Sequence, residues 1–441
     1  MSIHTIISLI SMLLWLIMAA NILYILFFAL ASIMPGKGGR TKDEGGRTKD
    51  EGGRTKDEGG RTKEEGEERP SFLVLFPAYH EDAVIINSVE TFLKQDYPKD
   101  RYKVIVISDN MRAETNAKLA SMPITLLQPQ FEKSSKATAL QYAVHSSQFT
   151  VHSSLTSKAA EPSAQFAISH LSPLPPHPYV VILDADNVVE SDFLTRLSEI
   201  ACMDEAIQCH RTAKNANNDI AALDGLSEEI NNSIFRRGHN RIGMSSALIG
   251  SGMCFDYEWF KNHVGLLDSA VEDRELEALL MKQGIFIRYA EDILVMDEKV
   301  SNSDNFQRQR LRWMTGQVQA LMRMLPYMPK AIITGNINYI DKTIQQALIP
   351  RSLLLVLTPL FALLFTVHSL QFTVHSSAPL LWWLLVVLLI LALFIAIPAR
   401  LRTTALIGKA LTLPALVWRM LTNILHIKPQ NKEFIHTTHN Q

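Results

Sequence analysis

A short apolar run that ends on two carboxylates constrains this chain more than any other feature of its sequence. Val180–Leu183 contains only Val, Ile and Leu, and Asp184 and Asp186 follow it. Such a run predicts a central sheet strand that is buried on both faces, and ligands of parallel sheets bind beyond the carboxyl ends of the strands. Residues i and i+2 of an extended segment point the same way, so both carboxylates can face one divalent cation. A turn that caps the following helix is the alternative.

The composition predicts that one part of the chain is embedded in a membrane and another part folds in water. Its 441 residues are 47% hydrophobic and 20% charged, with a formal net charge of -1. The near-neutral charge, without a basic patch interleaved with aromatic residues, argues against a nucleic-acid partner. Cys202, Cys209 and Cys254 have the spacing of neither a metal site nor a disulfide framework, which favours a reduced, cytosolic compartment.

The N-terminal residues 1–35 predict a transmembrane helix. Ser2–Met34 contains no Asp, Glu, Lys or Arg and is long enough to cross a bilayer. A cleaved signal peptide is the alternative, since Ala29–Ala31 resembles a small-x-small cleavage site, but the apolar segment is too long and no basic region precedes it. The Lys and Arg residues that follow predict that the next segment is cytosolic.

Two heptapeptides recur in the sequence. Gly-Gly-Arg-Thr-Lys-Asp-Glu repeats within residues 36–69 and has no apolar seam for a coiled coil, so it predicts a disordered, solvated linker. Gln-Phe-Thr-Val-His-Ser-Ser occurs at Gln148–Ser154 and again at Gln371–Ser377. Its presence in two unrelated contexts predicts tolerated insertions in surface loops.

From residue 70 onward, strand and helix signals alternate, which predicts an α/β domain with a mainly parallel sheet. Predicted strands are Ser71–Phe76, Lys103–Ser108, a short one at Leu126 and Leu127, and the central run. Lys136 is predicted to open a helix. The carboxyl edge of the sheet then collects the polar side chains of Tyr79, Glu81, Asp109, Asp184 and Asp186. Ser227–Arg237 predicts a helix of mixed charge, with most of its charges solvated.

Seven short motifs, in order, resemble the membrane-bound family 2 glycosyltransferases, which include cellulose, hyaluronan and poly-N-acetylglucosamine synthases. They are Phe76–Glu81, Val106–Asp109, Lys136–Leu140, Asp184–Asp186, Gly250–Gly252, Val271–Asp273 and Gln309–Trp313. The resemblance covers about residues 70 to 320. It implies a GT-A-type fold, a nucleotide-sugar donor, Mg²⁺ or Mn²⁺ as cofactor, and inversion at the anomeric carbon.

The resemblance also implies a donor site. It assigns Pro77, Tyr79 and Glu81 to the nucleoside pocket and makes Asp109 the acceptor of a hydrogen bond from the base. His80 stands where the family commonly has Asn, which is a departure from the pattern.

For the rest of the donor, the resemblance assigns Lys136 to the base or the phosphates. Asp186 is predicted to be the metal ligand, and Asp184 is predicted to contact the nucleotide or to support the metal. One or two carboxylates suffice because Mg²⁺ keeps water and phosphate oxygens as its other ligands.

A second acidic pair, Glu272 and Asp273, precedes leucines at helical spacing. Acidic residues are favourable at the N-terminus of a helix, so a capping role is the alternative here. The resemblance implies that this pair is catalytic and that Asp273 is the general base, taking the proton of an acceptor hydroxyl during in-line attack.

Two further motifs are predicted to contact the acceptor or the diphosphate. Leu248–Phe255 predicts a strand entering a tight loop, and its Gly250, Ser251 and Gly252 are expected to shape the acceptor pocket, with a plain turn as the alternative. In a helix, Gln309, Arg312 and Trp313 of the last motif share one face. The alternative is a helix that lies on the membrane surface, and this is compatible with a role in binding. The predicted ligand-binding residues of this motif are Gln309, Arg310, Arg312 and Trp313.

Ser352–Val367 and Leu380–Ile397 predict two more spans, and the Lys and Arg residues after them predict a cytosolic tail. The expected domains are therefore residues 1–35 as the first span, 36–69 as the linker, 70–345 as the cytosolic catalytic domain with an interfacial helix, 346–400 as two spans, and 401–441 as an amphipathic tail. Such a protein is integral to a plasma membrane or a bacterial inner membrane.

These features predict an inverting glycosyltransferase that uses a UDP-linked sugar to extend a glycan or polysaccharide. Single-sugar transfer to a lipid carrier is one alternative, and a non-catalytic subunit of an assembly or export complex is another. Three spans are fewer than large synthases use for their own channel, so we expect an export partner or a homo-oligomer to complete a pore.

Overall fold

A computed structural model describes residues 3–35, 69–152, 178–215, 219–269, 271–299, 303–371 and 378–403. Nearly all of the predicted linker at 36–69 and of the predicted tail at 401–441 lies outside these described residues, as does part of each copy of the second heptapeptide.

The strands of the described chain form one eight-stranded sheet in the order β3-β2-β1-β4-β7-β6-β8-β5. Pairing is parallel from β3 through β4 and between β6 and β8, whereas β7 and the short β5 run antiparallel to their neighbours. This confirms the predicted mainly parallel sheet. The strands are β1 Ser71–Tyr79, β2 Tyr102–Asp109, β3 Thr125–Leu127, β4 Pro178–Ile182, β5 Val188–Val189, β6 Ala206–Ala213, β7 Met253–Asp256 and β8 Ile287–Asp297.

Helices cover both faces of the sheet and follow it in the chain. Two of the helices that cover the sheet begin at Lys136 and at Glu272, as the sequence predicts. The helices are α1 Ile3–Ser32, α2 Ile85–Phe92, α3 Ala113–Ala120, α4 Lys136–His152, α5 Phe193–Ala201, α6 Asp219–Asn231, α7 His239–Arg241, α8 Tyr257–His263, α9 Glu272–Lys282, α10 Ser303–Met324, α11 Met328–Ile333, α12 Ile337–Ala347, α13 Arg351–Gln371 and α14 Ala378–Ala396. A π-helix, Asn232–Gly238, joins α6 to α7.

Strand β1 shows why the sequences of the central strands are continuous apolar runs. Successive side chains of a strand point to opposite faces. Leu73 and Leu75 pack into the core under α4 and α9, while Phe72, Val74 and Phe76 pack into the core under α2 and α5. With helices on both faces, every position of the strand must be apolar.

Strand register brings the ends of β1, β2 and β4 to the same edge of the sheet. β1 pairs with β2 as far as Tyr79 and Asp109, but its pairing with β4 stops at Leu75 and Ile182. The chain after β4 therefore leaves the sheet beside the extended end of β1, and Asp184 lies next to that edge.

Among the described residues, three helices contain segments long and apolar enough to cross a membrane: Thr5–Ser32, Arg351–Leu370 and Pro379–Ala396. They correspond to the three predicted spans. Two indole hydrogen bonds join the first to the third: Trp15 Nε1 donates to the carbonyl of Leu381 at 3.1 Å, and Trp382 Nε1 donates to Ser11 Oγ at 3.2 Å.

Two local predictions differ from the structure. The charges in the segment from Ser227 to Arg237 were expected in solvent, and this is wrong for Glu228, Glu229 and Arg236, which are buried. The segment includes the π-helix and packs against α1 and β6, so its charges are satisfied by ion pairs inside the protein. The stretch from Leu248 is irregular, and strand β7 follows the glycine loop rather than preceding it.

We predict that Gly238→Ala destabilises the protein because α1 passes too close for a methyl group. A Cβ at Gly238 would lie 2.3 Å from the carbonyl oxygen of Phe28. Overpacking of this kind costs about 1–3 kcal/mol, although alanine normally favours a helix. Thermal unfolding of the purified full chain in detergent measures the effect. At Gly265 a Cβ would meet nothing within 4 Å, so Gly265→Ala is the control, and equal unfolding temperatures for the two variants would contradict the prediction.

Candidate active site

A cavity of about 550 Å³ opens at the carboxyl edge of the sheet. The elements around it are far apart in the sequence, since β1, β2, the turn after β4, α4, α9 and α10 all contribute. Ser251 and Gly252 are the two predicted site residues that do not line it. The predicted site residues that do line it are Pro77, Tyr79, Glu81, Asp109, Lys136, Asp184, Asp186, Gly250, Glu272, Asp273, Gln309, Arg310, Arg312 and Trp313.

The predicted nucleoside end lies where β1 and β2 finish. Tyr79 and Asp109 are paired in register, and the Tyr79 ring lies edge-on to the His80 ring with centroids 4.4 Å apart. Burial raises the pKa of Asp109. His80 and Asn110, the residues after the two strands, both have a φ of 55°. Asn adopts this left-handed conformation more readily than most residues, so His80 occupies a backbone position that also suits the asparagine common in the family.

The Asp184–Asp186 turn is both capped and open to the cavity. The backbone N–H of Asp184 donates to Asn187 Oδ1 at 2.9 Å. Asp186 is buried, and its carboxylate accepts from Asn187 Nδ2 at 3.1 Å and from the backbone N–H of Glu298 at 3.0 Å. The turn and the ligand site are therefore compatible, because the turn holds the carboxylates at the cavity wall.

The carboxylates of Asp184 and Asp186 fit a divalent cation whose other ligands include diphosphate oxygens. In the part of the chain that the structure describes, no group of three or more His, Cys, Asp or Glu side chains is arranged to hold a metal ion. Mg²⁺ typically takes one or two carboxylates and fills its shell with phosphate oxygens and water. Asp186, with Asp184 beside it, suits that mode of binding.

Lys136 lies between the two acidic pairs. Its ammonium group donates to Asp184 and to the carbonyl of Gly250, and it lies 3.4 Å from Glu272 Oε1. Burial by itself would lower the pKa of Lys136, but the carboxylates of Asp184 and Glu272 outweigh it and raise the pKa. The side chain therefore stays charged and joins the two acidic pairs.

Glu272 and Asp273 form the first turn of α9 and face the loop at Gly250. A Cβ at Gly250, which has a φ of 81°, would lie 3.7 Å from both Glu272 Oε1 and Asp273 Oδ2. Burial raises the pKa of Glu272 to about 7; the ammonium of Lys136 opposes this rise and the carboxylate of Asp273 adds to it. The carboxyl group of Glu272 therefore gains or loses a proton near neutral pH.

Helix α10 places the motif Gln309–Trp313 over the carboxylates. The two arginines of this motif, Arg310 and Arg312, have different surroundings. Burial lowers the pKa of Arg312, and the carboxylates of Glu272, Asp184 and Asp273 oppose that shift. Arg312 thus carries positive charge into the centre of the acidic site.

The other side chains of that motif make contacts of their own. Arg310 pairs with Asp224 and lies over the ring of Trp313, 4.5 Å from its centroid. The side-chain oxygen of Gln309 is buried, and no hydrogen-bond partner for it is found among the described residues. This amide oxygen lies at the wall of the cavity and can accept a hydrogen bond from a ligand there.

Sequence reasoning missed Gly316, which lets α10 lie against α9. A Cβ there would fall 2.2 Å from a methyl carbon of Val271, the residue before Glu272. Its position three residues after Trp313 is the only sequence signal of this close approach.

Ser251 and Gly252 support the site from behind. Ser251 Oγ hydrogen-bonds to Asn187 and lies 3.4 Å from the backbone nitrogen of Asp184. Gly252 has a φ of 64°, and a Cβ there would lie 2.9 Å from Val295. Ser251 thus fixes the aspartate turn, and Gly252 allows the loop to pass close to β8, without either residue lining the cavity.

The fold and the site together define a class of protein. A mainly parallel sheet with the antiparallel strand β7 next to β4, and with acidic pairs at its carboxyl edge, is a GT-A-like fold.

The family follows from sequence comparison. The profile of the family described as "Glycosyl transferase family group 2" matches residues 179–418, more than half of the chain. The chain belongs to this family and is a glycosyltransferase. A comparison with curated protein sequences found no match.

Solved structures with a similar fold are distant. A mannosyltransferase from Pyrobaculum calidifontis, in complex with GDP-Man and Mn²⁺, has 15% identity and a TM-score of 0.47, with 85% of this chain and 94% of that chain covered. Residues 1–349 of S. aureus TarS have 12% identity and a TM-score of 0.38, covering 81% of this chain and 89% of that one. Glucosyl-3-phosphoglycerate synthase from Mycobacterium tuberculosis has 14% identity and a TM-score of 0.33, covering 54% and 73%.

We predict that Glu272 makes stability depend on pH. In the folded protein its pKa is about 7, against an ordinary value of 4.5. Between these values the folded state binds more protons than the unfolded state, so this group lowers the free energy of unfolding as pH rises. Glu272→Gln removes the effect. The unfolding temperature of the wild type, relative to that of the variant, should fall from pH 4.5 to pH 7, and a constant difference would contradict the assignment.

Proposed function

We propose that this glycosyltransferase is membrane-integral and inverting, and that it transfers a sugar from a UDP-linked donor to a hydroxyl group of a glycan at the cytosolic face. The observation that carries the proposal is that Asp186 and Asp273, far apart in sequence, line one cavity. Lys136 and Arg312 supply positive charge between them.

Donor binding is assigned to the edge of the sheet. Tyr79 and Asp109 would hold the nucleoside, and Asp186 with Asp184 would hold Mg²⁺ or Mn²⁺ against the diphosphate. When bound, the metal neutralises the charge that builds up on the leaving diphosphate. Arg312 adds a fixed positive charge for the same purpose, which is most effective in a site that excludes water.

Asp273 is assigned the role of general base. The acceptor oxygen attacks the anomeric carbon and its proton moves to the Asp273 carboxylate, while the bond from that carbon to the diphosphate breaks and the electron pair leaves with the diphosphate. A single displacement of this kind inverts the configuration. Glu272, with its pKa of about 7, lies beside the base and sets the charge of the pair near neutral pH.

Three helices that are long and apolar enough to span a membrane support a membrane-integral enzyme. Arg351 begins the second of them and lines the catalytic cavity. The acceptor is therefore expected to react next to the bilayer.

We predict that Asp273→Asn abolishes transfer and spares donor binding, because it removes the base and keeps the shape of the side chain. Purified full-length protein would be incubated with radiolabelled nucleotide sugars and Mn²⁺ or Mg²⁺, and the products separated into lipid-linked and polymeric fractions. Loss of a general base lowers the rate by about 10²- to 10⁴-fold, while UDP binding should persist.

Two further variants complete this test. Asp186→Asn should abolish metal-dependent UDP binding because it removes the assigned metal ligand. Asp292→Asn, at an exposed position of β8, is the matched control and should retain both binding and transfer. Transfer by Asp273→Asn at the rate of this control would contradict the proposed mechanism.

A further inference from the structure

The catalytic cavity continues from the acidic site to the membrane helices. Its lining includes Ile25 of α1, Leu355 of α13 and Leu393 of α14, so every one of the three candidate spans contributes to it. Leu226 and Ile230 of α6 line the same region. Sugar rings are usually bound by flat aromatic faces, whereas aliphatic walls of Leu and Ile suit a hydrocarbon chain.

Several cationic side chains line the cavity together with these apolar residues. The cationic wall, as we define it, consists of Arg211, Arg236, Lys299, Arg310 and Arg351, all of which line the cavity. Four of these cations, all except Arg351, form ion pairs with Asp224, Glu228 or Asp297. A cation without a direct carboxylate partner is costly away from bulk water, so such a cation in this wall favours an anionic ligand.

Arg351 is the member of the cationic wall with neutral partners. Its guanidinium donates to the carbonyl and the hydroxyl of Ser227, at 3.0 and 3.2 Å, and to Asn231 Oδ1 at 2.8 Å. Among the residues described, no carboxylate lies within ion-pair distance of it. These contacts hold the side chain in place without a direct carboxylate partner.

Position within α13 links this charge to the apolar region. Arg351 and Leu355 are four residues apart and therefore share one face of the helix, and both line the cavity. On α6, Ser227 and Asn231 accept the hydrogen bonds from Arg351. The residues before them, Leu226 and Ile230, line the apolar region of the cavity. A ligand that contacts both regions must carry an anion directly next to a hydrocarbon chain.

We propose that the acceptor glycan is attached to a membrane lipid through a phosphate headgroup and that this lipid-linked glycan carries the reacting hydroxyl. The phosphate lies against Arg351 and the cationic wall, and the hydrocarbon chain lies against Ile25, Leu355 and Leu393. This inference rests on the proposed function, because the hydroxyl must reach Asp273. In the transfer, the hydroxyl oxygen bonds to the anomeric carbon, its proton goes to Asp273, and the donor diphosphate leaves with the electron pair, while the lipid phosphate is unchanged.

Binding of three probes to the purified full-length protein in detergent tests the proposal. The probes are farnesyl phosphate, which has both a chain and a phosphate, farnesol, which lacks the phosphate, and inorganic phosphate, which lacks the chain. Farnesyl phosphate should bind at least about tenfold more tightly than either of the others, since a hydrogen bond to a charged group contributes about one order of magnitude in affinity.

Variants locate the site. Arg351→Gln should weaken binding of farnesyl phosphate about tenfold. Arg402→Gln is the matched control, because this arginine also lies near one end of a candidate span but does not line the cavity. Leu355→Trp provides a second test that changes no charge, since the larger side chain should block the chain-binding region and weaken farnesyl phosphate without weakening inorganic phosphate.

UDP binding in the presence of Mn²⁺, measured on the same preparations, separates the two proposals and reports folding. Binding of farnesyl phosphate without binding of UDP would overturn the proposed function and leave the lipid site standing. UDP binding without farnesyl phosphate binding would overturn the lipid site alone. Equal affinity for inorganic phosphate and farnesyl phosphate, or equal affinity of Arg351→Gln and Arg402→Gln for farnesyl phosphate, would also overturn it.

Discussion

The ammonium group of Lys136 is the contact on which the active site depends. It joins the turn after β4 through Asp184, the loop before β7 through the carbonyl of Gly250, and the start of α9 through Glu272. A buried charge needs partners, and here one cation serves two carboxylates from distant parts of the chain. Without it, those carboxylates would repel each other inside the cavity, so the two acidic pairs converge because Lys136 lies between them.

Local sequence signals predicted much of this arrangement. Strands β1, β2 and β4 are apolar on both faces, so their runs are visible in the sequence, and the polar residues that end them, such as Tyr79 and Asp109, fall at the edge of the sheet. The start of α9 at Glu272 follows from leucines at helical spacing, and the three candidate spans follow from length and hydropathy. The family resemblance rests on the motifs at these element ends, which is why the family assignment could be predicted and is confirmed.

Non-local pairing explains what the sequence did not predict. The buried ion pairs of Glu228 join it to Arg211, Arg236 and Lys299, and residues so far apart leave no periodic pattern. Charged residues in a helix normally indicate a solvated face, so the burial of this cluster in the wall of the cavity was missed. The role of Ser251 in supporting the aspartate turn is equally invisible, because a Gly-Ser-Gly loop has the same sequence whether it lines a cavity or closes it from behind.

The central claim is that donor diphosphate and general base meet in one cavity. A cryo-electron microscopy map of the full-length protein with UDP and Mn²⁺ measures this directly. The account predicts density for the metal at Asp186, with the diphosphate extending toward Arg312 and the Asp273 carboxylate facing the same space. Nucleotide density away from Asp186, or an Asp273 side chain directed out of the nucleotide cavity, would contradict it.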